Sequence, residues 1–463
     1  MMGKVYVEKF FEFSKRGLNS IIIFPDVPFW IAVSEVGKKL LEIIKETGDI
    51  DLSANLLSIS KNDIQAFVDP LIKSGVITSS LKKREDLHFK DTKVIKPNKV
   101  TFLQTMKCNL KCKHCCVSDL SDEQMKGMSF EKAKYILRQV KELMNENDKW
   151  LTFLGGEPLC GDKFKQLIQY AVDIGFKVGL STNGILVDEE FAKIAKENNI
   201  NVQISIDGVD KESHEEVRGN GTWEKTITAI KLLNSYGVDI QTNMVYHKGN
   251  FERIEEYFDF AIQNGIKKVR LISLMNMGRA VNNMEMVPLS RFVNYMEQLI
   301  DRRKDIVELL DETSFMGLVL TAKFSQKVVS CGAGVITLTV APDGNVYPCL
   351  NLYNEKFKMC NLFDKDFSQQ FFSSKILKKF REMDISTLND ECAICNLKYF
   401  CGGKCRGETF NETGSELNPY PHCDEWKKAM EKVFWIIVDN PKLGDKKYLS
   451  VKKKTGEYLG LWH

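Results

Sequence analysis

Three cysteines define the chemistry open to this chain. Cys108, Cys112 and Cys115 are spaced x3 and x2 in Lys107-Cys108-Asn109-Leu110-Lys111-Cys112-Lys113-His114-Cys115, directly after the apolar run Val100-Thr101-Phe102-Leu103. Three thiolates on one tight loop can hold three irons of a [4Fe–4S] cube and leave the fourth open to a small molecule that accepts an electron. Zinc is the rival reading. A structural zinc wants a fourth ligand close by, and Cys116 is too constrained by adjacency to supply it well. The remaining thiols cluster too. Cys331 is followed by Cys349 at the end of ITLTVAPDGNVYPC, a hairpin pattern with a Pro-Asp-Gly turn, then by Cys392-x2-Cys395-x5-Cys401-x3-Cys405 and by Cys423. Clustered thiols, 13 in all, fit a reducing cytoplasm in which they hold metal better than they fit a set of disulfides.

The elements that must position these residues repeat as strand, loop and amphipathic helix from Lys99 to about Lys304. The predicted strands are Lys99–Leu103, Trp150–Leu154, Lys177–Ser181, Asn201–Ile206, Ile240–Tyr246 and Lys268–Ser273. Helices are predicted near Ser129–Met144, Asp162–Ile174, Asp188–Lys196, Thr222–Tyr236, Asn250–Gln263 and Ser290–Arg302. This is the pattern of an α/β protein with a parallel sheet, closed partly as a six-unit TIM-like barrel. Right-handed crossovers place every strand's C-terminal end on one face, and the polar motifs fall at those ends. Gly155-Gly156-Glu157-Pro158 follows the second strand; its glycines admit a ligand close to backbone, and Glu157 can accept from an ammonium group. Ser181-Thr182-Asn183-Gly184 ends the third strand and Ser205-Ile206-Asp207-Gly208 the fourth, with Asn243 on the fifth. Each of these could instead cap the next helix, Asp207 above all. Cys160 reads as a buried thiol, and His114 either as a solvated loop residue or as a wall for a ligand.

Before the barrel, residues 19–33 read as two short strands around a Pro-Asp turn. Ser34 then caps a helix with Val36, Leu40, Leu41 and Ile44 on one face, a short helical stretch follows near Leu52–Leu57, and Ser60 opens a third helix carrying Ile64, Phe67, Val68, Leu71 and Ile72. Val76-Ile77 can close the unit as a strand. The expected division is a winged-helix-like domain with its polar linker over 1–95, the barrel over 96–304, a helical connector over 305–330, the cysteine-rich domain over 331–430 and a tail over 431–463. The tail, with Lys452-Lys453-Lys454 between apolar residues, is expected as a solvated helix or strand. Nucleic acid is a poor partner for this chain: 65 basic and 62 acidic residues give a net charge of +3, and the third helix sets Lys61 and Lys73 against Asp63 and Asp69. No run approaches the ~18 apolar residues of a membrane span, and Glu8, Glu12, Lys15 and Arg16 interrupt any secretory segment.

CxxxCxxC after a first strand, with GGEP after the second, resembles the signature of the radical S-adenosylmethionine (SAM) superfamily. The resemblance implies that SAM chelates the open iron and is cleaved to a 5′-deoxyadenosyl radical that abstracts hydrogen. It puts His114 near the adenine, Gly155, Gly156 and Glu157 at the SAM amino group, Ser181 and Asn183 at the ribose, and Ser205 and Arg218 at the carboxylate. The seven later cysteines resemble the SPASM extension of peptide-modifying members. By that match Cys392, Cys395, Cys401 and Cys423 hold one auxiliary cluster, and Cys331, Cys349 and Cys405 hold another, giving three [4Fe–4S] clusters. The fourth ligand of the incomplete set could be Cys360, water or a thiolate of the substrate, although Cys360 also reads as a plain loop residue. The N-terminal unit resembles the recognition element of enzymes that modify ribosomally made peptides, where a leader adds as a strand to the sheet edge and packs on the third helix. Sulfatase-maturing members carry an aspartate immediately after the hairpin cysteine, where this chain has Leu350. The implied activity is maturation of a ribosomal precursor peptide, sactisynthase-like, by a thioether from peptide cysteine to carbon, with flavodoxin or ferredoxin as reductant. A carbon–carbon crosslink is the near alternative. An iron–sulfur DNA-binding regulator is the distant one, and a redox sensor needs no SAM pocket.

Overall fold

The structure, a computed structural model, describes residues 4–79, 96–116, 125–147, 149–281, 283–313, 315–323, 327–440, 443, 450–452 and 458–462. Its N-terminal part runs β1 (Tyr6–Val7), β2 (Phe11–Arg16), β3 (Asn19–Phe24), β4 (Phe29–Ser34), α1 (Glu35–Thr47), α2 (Ile50–Leu56), α3 (Lys61–Lys73) and β5 (Ile77–Thr78), the last paired with β1. Each helix starts at a side-chain oxygen that accepts a backbone N–H: Ser34 from Gly37, Asp49 from Leu52 and Ser60 from Asp63. Alternation along β3 and β4 divides their side chains between two cores. Ile22, Phe24, Ile31 and Val33 pack with Leu40, Phe67 and Leu71, while Ile21, Ile23, Trp30 and Ala32 join the main core of the molecule. Most of the linker expected over Ser79–Asn98 lies outside the described residues.

Strands β6 (Lys99–Leu103), β7 (Trp150–Leu154), β8 (Lys177–Thr182), β9 (Asn201–Ser205), β10 (Ile240–Tyr246) and β11 (Lys268–Ser273) pair in parallel in chain order, within one residue of the expected bounds. The sheet stays open. Beyond β6 it continues through β12 (Thr337–Val340), parallel to β6, and then through the antiparallel strands β13 (Asn345–Tyr347) and β14 (Cys360–Asn361). The hairpin that leads to Cys349 is therefore part of the barrel's own sheet: Leu338, Val340 and Val346 join the main core, while Ala333, Tyr347, Leu352 and Phe357 pack in a smaller one. The six expected helices are present, and a seventh, Lys211–Arg218, precedes Trp223–Ser235. Its sequence KESHEEVR has almost no apolar stripe, which hid it, but Asp210 and Ser213 form a capping box at its start.

Two further differences concern the ends of the chain. Strand β2 carries Glu12, Lys15 and Arg16 and reads as polar, yet it pairs along β3. Part of the tail is strand, one of the two expected forms, and it pairs: β15 (Ser450–Lys452) and β16 (Tyr458–Trp462) extend the N-terminal sheet in the order β15-β16-β4-β3-β2. Helix Cys423–Asp439 crosses the boundary expected at 430 and joins the two halves. Phe434 on it lies 4.8 Å from the Trp30 ring, whose Nε1–H donates to the Ala322 carbonyl at 2.7 Å. Among the described residues no helix is long and apolar enough to cross a membrane. Trp30→Ala should cost about 3–5 kcal/mol through lost burial and the orphaned Ala322 carbonyl, and Trp30→Phe clearly less. Thermal melting checks this, and equal melting of the two variants would contradict it.

Candidate radical and auxiliary iron–sulfur sites

The C-terminal ends of β6 to β9 meet at a cavity of about 520 Å3. Cys108, Cys112, Cys115, His114, Gly155, Gly156, Glu157, Ser181, Asn183, Ser205 and Arg218 all line it, so the fold brings together every residue expected there. Asn243 is not on its wall; its amide donates to Gln203 Oε1 at 3.1 Å.

Close backbone approach explains the two glycines. A Cβ on Gly155, which sits at φ +142°, would meet the Thr105 carbonyl oxygen at 2.2 Å, and one on Gly156 would meet the Lys107 oxygen at 2.2 Å. The Glu157 N–H then donates to Lys107 O at 2.8 Å, so this turn is stitched to the segment entering the cysteine loop. The Glu157 carboxylate, only 1% exposed, accepts from Thr182 Oγ1 at 2.7 Å, Asn183 N at 2.8 Å and Leu159 N at 3.1 Å. It locks the ends of β7 and β8 together. From β8, Asn183 Nδ2 donates to Asn109 Oδ1 at 2.8 Å and so holds the loop between Cys108 and Cys112.

Asp207 is not a helix cap; that part falls to Asp210. Fully buried, Asp207 accepts from Arg218 Nε at 2.6 Å and from the Val245 N–H at 2.8 Å, and His114 Nε2 lies 3.1 Å from it. Burial pushes its carboxyl up, but Arg218 and then His114 outweigh this and hold it well below the usual carboxylate range. Arg218 Nη1 in turn reaches Cys112 Sγ at 3.9 Å. Two residues that sequence reasoning passed over complete the frame. Arg279 donates from Nε to the Cys112 carbonyl at 2.8 Å and from its N–H to the Cys115 carbonyl at 3.0 Å, and a Cβ on Gly278 would strike that Cys115 oxygen at 2.4 Å. Their signal was position: Gly278-Arg279 follows the sixth strand.

The donor set fits an iron–sulfur cluster. Burial pushes the Cys108 thiol up to about 11 and raises Cys112 despite Arg218, so a positive centre is what would make them thiolates. The buried His114 Nδ1 has no partner among the described residues and belongs to a residue on the cavity wall, as a ligand site requires. Among the described residues, the set of three metal-binding side chains within 4.8 Å of one another is Glu408, Glu412 and His422. Among the described residues no cysteine trio is drawn in to the sulfur separations of about 3.8 Å that a tetrahedral zinc thiolate needs.

The Cys349 thiol is pushed up to about 12 by burial and then by Cys331 and Cys405, while Cys423 feels Cys395 and Cys392, and Cys401 feels Cys423 and Cys395. Cys331, Cys349 and Cys405 line a second cavity of about 840 Å3, together with Cys401, Met275 and Tyr420. Cys405 Sγ accepts from Asn351 Nδ2 at 3.3 Å and from the Glu408 N–H at 3.4 Å. Cys360 is 3% exposed in β14, within the core and off this cavity's wall. Cys160 is half-buried rather than buried. Leu350 lines the smaller cavity and Cys349 the larger, so the end of the hairpin stands between them.

A partial α/β barrel with a cysteine loop at its strand ends, extended by a hairpin into a second cysteine array, defines an iron–sulfur enzyme of the radical type. Residues 104–261 match the radical SAM superfamily and residues 331–396 match SPASM, an iron–sulfur cluster-binding domain, so the chain carries a radical SAM domain followed by a SPASM domain. These domains imply an iron–sulfur cluster and SAM. The chain is 25% identical over 344 residues to the AdoMet-dependent heme synthase of Methanosarcina barkeri, covering 71% of this chain and 96% of that protein. It is 28% identical over 342 residues to the mycofactocin maturase MftC of Mycolicibacterium smegmatis (72% and 84%), and 27% identical over 354 residues to the cysteine-type anaerobic sulfatase-maturating enzyme of Clostridium novyi (70% and 92%). In fold it resembles Streptococcus suis SuiB bound to precursor peptide SuiA, with a TM-score of 0.59 at 19% identity over 91% of this chain and 98% of that one.

Burial, reinforced by Arg218, pushes His214 down from its ordinary 6.5 to about 4, with its Nδ1 accepting the Asp207 N–H. As pH falls from 6.5 to about 4 the unfolded chain takes up this proton before the folded one, so stability should fall across that window. His214→Phe costs the Asp207 N–H its acceptor at every pH but should flatten the slope. Melting curves across the window test this, and an unchanged slope would contradict it.

Proposed function

We propose that this enzyme matures a ribosomally synthesised precursor peptide by joining a peptide cysteine to a carbon through a thioether. The observation that carries this is the asymmetry of the cysteine array: all of Cys331, Cys349 and Cys405 line the larger cavity, whereas of the other set Cys401 does and Cys392, Cys395 and Cys423 do not. In this reading Cys108, Cys112 and Cys115, the trio of Cys331, Cys349 and Cys405, and the set of Cys392, Cys395, Cys401 and Cys423 hold three [4Fe–4S] clusters, and the second trio keeps a position that a peptide thiolate can take. Bound clusters and SAM would supply the hydrogen-abstracting radical and a destination for the electron released as the new bond forms.

The chain's own part is placement. Asp207 fixes Arg218 and His114 at the smaller cavity, the Gly155-Gly156 backbone offers a close approach for the SAM amino group, and Ser181, Asn183 and Ser205 present polar groups to its ribose and carboxylate. Leu350 forms an aliphatic wall where sulfatase-maturing members carry an aspartate, which weighs against that reaction here. Relatives named as heme synthases share the frame, so the peptide reading draws its support from MftC, from the fold shared with peptide-bound SuiB and from the N-terminal sheet, where the leader would dock. The functional units would be those expected from the sequence, in a cytoplasmic enzyme reduced by flavodoxin or ferredoxin.

Coexpression with a candidate cysteine-containing precursor should give a product lighter by two hydrogens per crosslink. Its linked cysteines should resist alkylation after disulfide reduction, since thiols do not exchange a carbon–sulfur bond. A modified product in which every cysteine still alkylates would replace the thioether with a carbon–carbon bond.

A further inference from the structure

We propose that Asn351 is a positioning residue that poises the trio of Cys331, Cys349 and Cys405 to accept an electron, by donating its side-chain amide N–H to the Cys405 sulfur. The inference rests on the reading in which this trio holds a cluster, and adds to it a residue that sets the potential.

Asn351 lies in the short turn Leu350–Leu352 that follows Cys349. Its Nδ2 is 3.3 Å from Cys405 Sγ and 3.8 Å from Met275 Sδ, so the amide ties the end of the hairpin to the cysteine array and to the segment after β11. The surroundings are built to hold it there. A Cβ on Gly407 would meet the Asn351 carbonyl oxygen at 2.5 Å, so helix Arg406–Thr413 can lie against this turn only with glycine at that place. One turn along the same helix, Asn411 Nδ2 donates to that carbonyl oxygen at 3.3 Å. The backbone of Asn351 is thereby fixed and its Nδ2 faces two sulfurs. Cys405 is also the N-cap of this helix, where its sulfur accepts the Glu408 N–H at 3.4 Å and the helix dipole favours negative charge.

A donor to a ligand sulfur stabilises the more negative, reduced state of a cluster and so raises its potential. The other two thiols of the trio are surrounded in the same sense. Burial pushes Cys331 up, and the backbone N–H groups of Ala333 and Arg406 draw it back. At Cys349, burial and then Cys331 and Cys405 are opposed by the N–H groups of Leu352 and Asn351. An oxygen in place of Asn351 Nδ2 would set a lone pair against the sulfur and act the other way. The electron in question comes from the new bond: the carbon radical's electron and the thiolate's pair make one carbon–sulfur bond and leave one electron over. The abstracted hydrogen atom goes to the 5′-deoxyadenosyl radical, the thiol proton to water, and the electron to the trio's cluster, which is reduced by one.

The test uses the anaerobically reconstituted Cys108→Ala/Cys112→Ala/Cys115→Ala chain, whose EPR signals are those of the auxiliary clusters alone. Redox titration followed by EPR should show one of the two potentials fall in Asn351→Leu, by about tenfold in the reduction equilibrium, or about 59 mV for one electron. The other potential and the iron content should stay as they were. The potential that falls should belong to the signal that Cys405→Ser alters. Asn351→Asp keeps the shape of the side chain, removes the donor and adds a negative charge, so it should lower the same potential further; it carries the test should Asn351→Leu fail to fold. Unmoved potentials in these variants, or equal shifts of both clusters, overturn the proposal. If Cys405→Ser leaves iron content and spectra unchanged, the trio holds no cluster and that reading falls as well; if it changes them while both Asn351 variants move nothing, Asn351 alone is ruled out. In the chain with all its cysteines, given precursor peptide, Asn351→Leu should form less crosslinked product per SAM cleaved, and an unchanged ratio overturns the link to electron acceptance. The potentials need no peptide, so they decide on Asn351 even where no product forms.

Discussion

Four residue pairs, from Thr337↔Lys99 to Val340↔Phe102, tie the two cysteine chemistries together. Strand β6 runs out into the loop of Cys108, Cys112 and Cys115, and β12 turns through β13 to Cys349. Neighbouring strands lie about 4.8 Å apart, and a slip of one residue would turn every side chain of β12 to the opposite face. The parallel register of β12 on β6 thus sets where Cys349 stands relative to the loop of Cys108, Cys112 and Cys115. The placement of Leu350 and Cys349 on different cavities follows from the same hairpin.

Around this frame the charged groups are arranged so that none is buried alone. A carboxylate as deeply buried as Asp207 would be unfavourable by several kcal/mol without compensation. It has Arg218, His114 and a backbone N–H, and each contact also fixes something at the cavity. Glu157 is buried in the same way and uses its three bonds to lock β7 to β8. Stability and site geometry are therefore the same interactions, and substitution at either carboxylate should disturb both.

Much of this was legible in the residues. The barrel strands are short runs, all but β10 with an apolar residue at every second position or more, closed by glycine or polar motifs, and the cysteines cluster along the sequence. What was not legible depended on tertiary partners. Helix Lys211–Arg218 has hardly any apolar face because its work is to present Arg218 and His214, and Asp207 looks like a cap until Arg218 is brought to it. Gly278 and Arg279 are separated from the cysteine loop by more than a hundred and fifty residues, so only the barrel shows that they hold it. Strand β2 reads as polar because its outward residues are charged, and the tail reads as solvated because its partner, β4, lies at the other end of the sequence.

The central proposal is that one chain holds a radical-site cluster and two auxiliary clusters, and iron content tests it most directly. Anaerobically reconstituted protein should carry about twelve irons per chain, and the triple variant Cys108→Ala/Cys112→Ala/Cys115→Ala about eight, with SAM cleavage abolished. Finding about four irons in the unmutated chain, or the loss of all iron in the triple variant, would contradict the account.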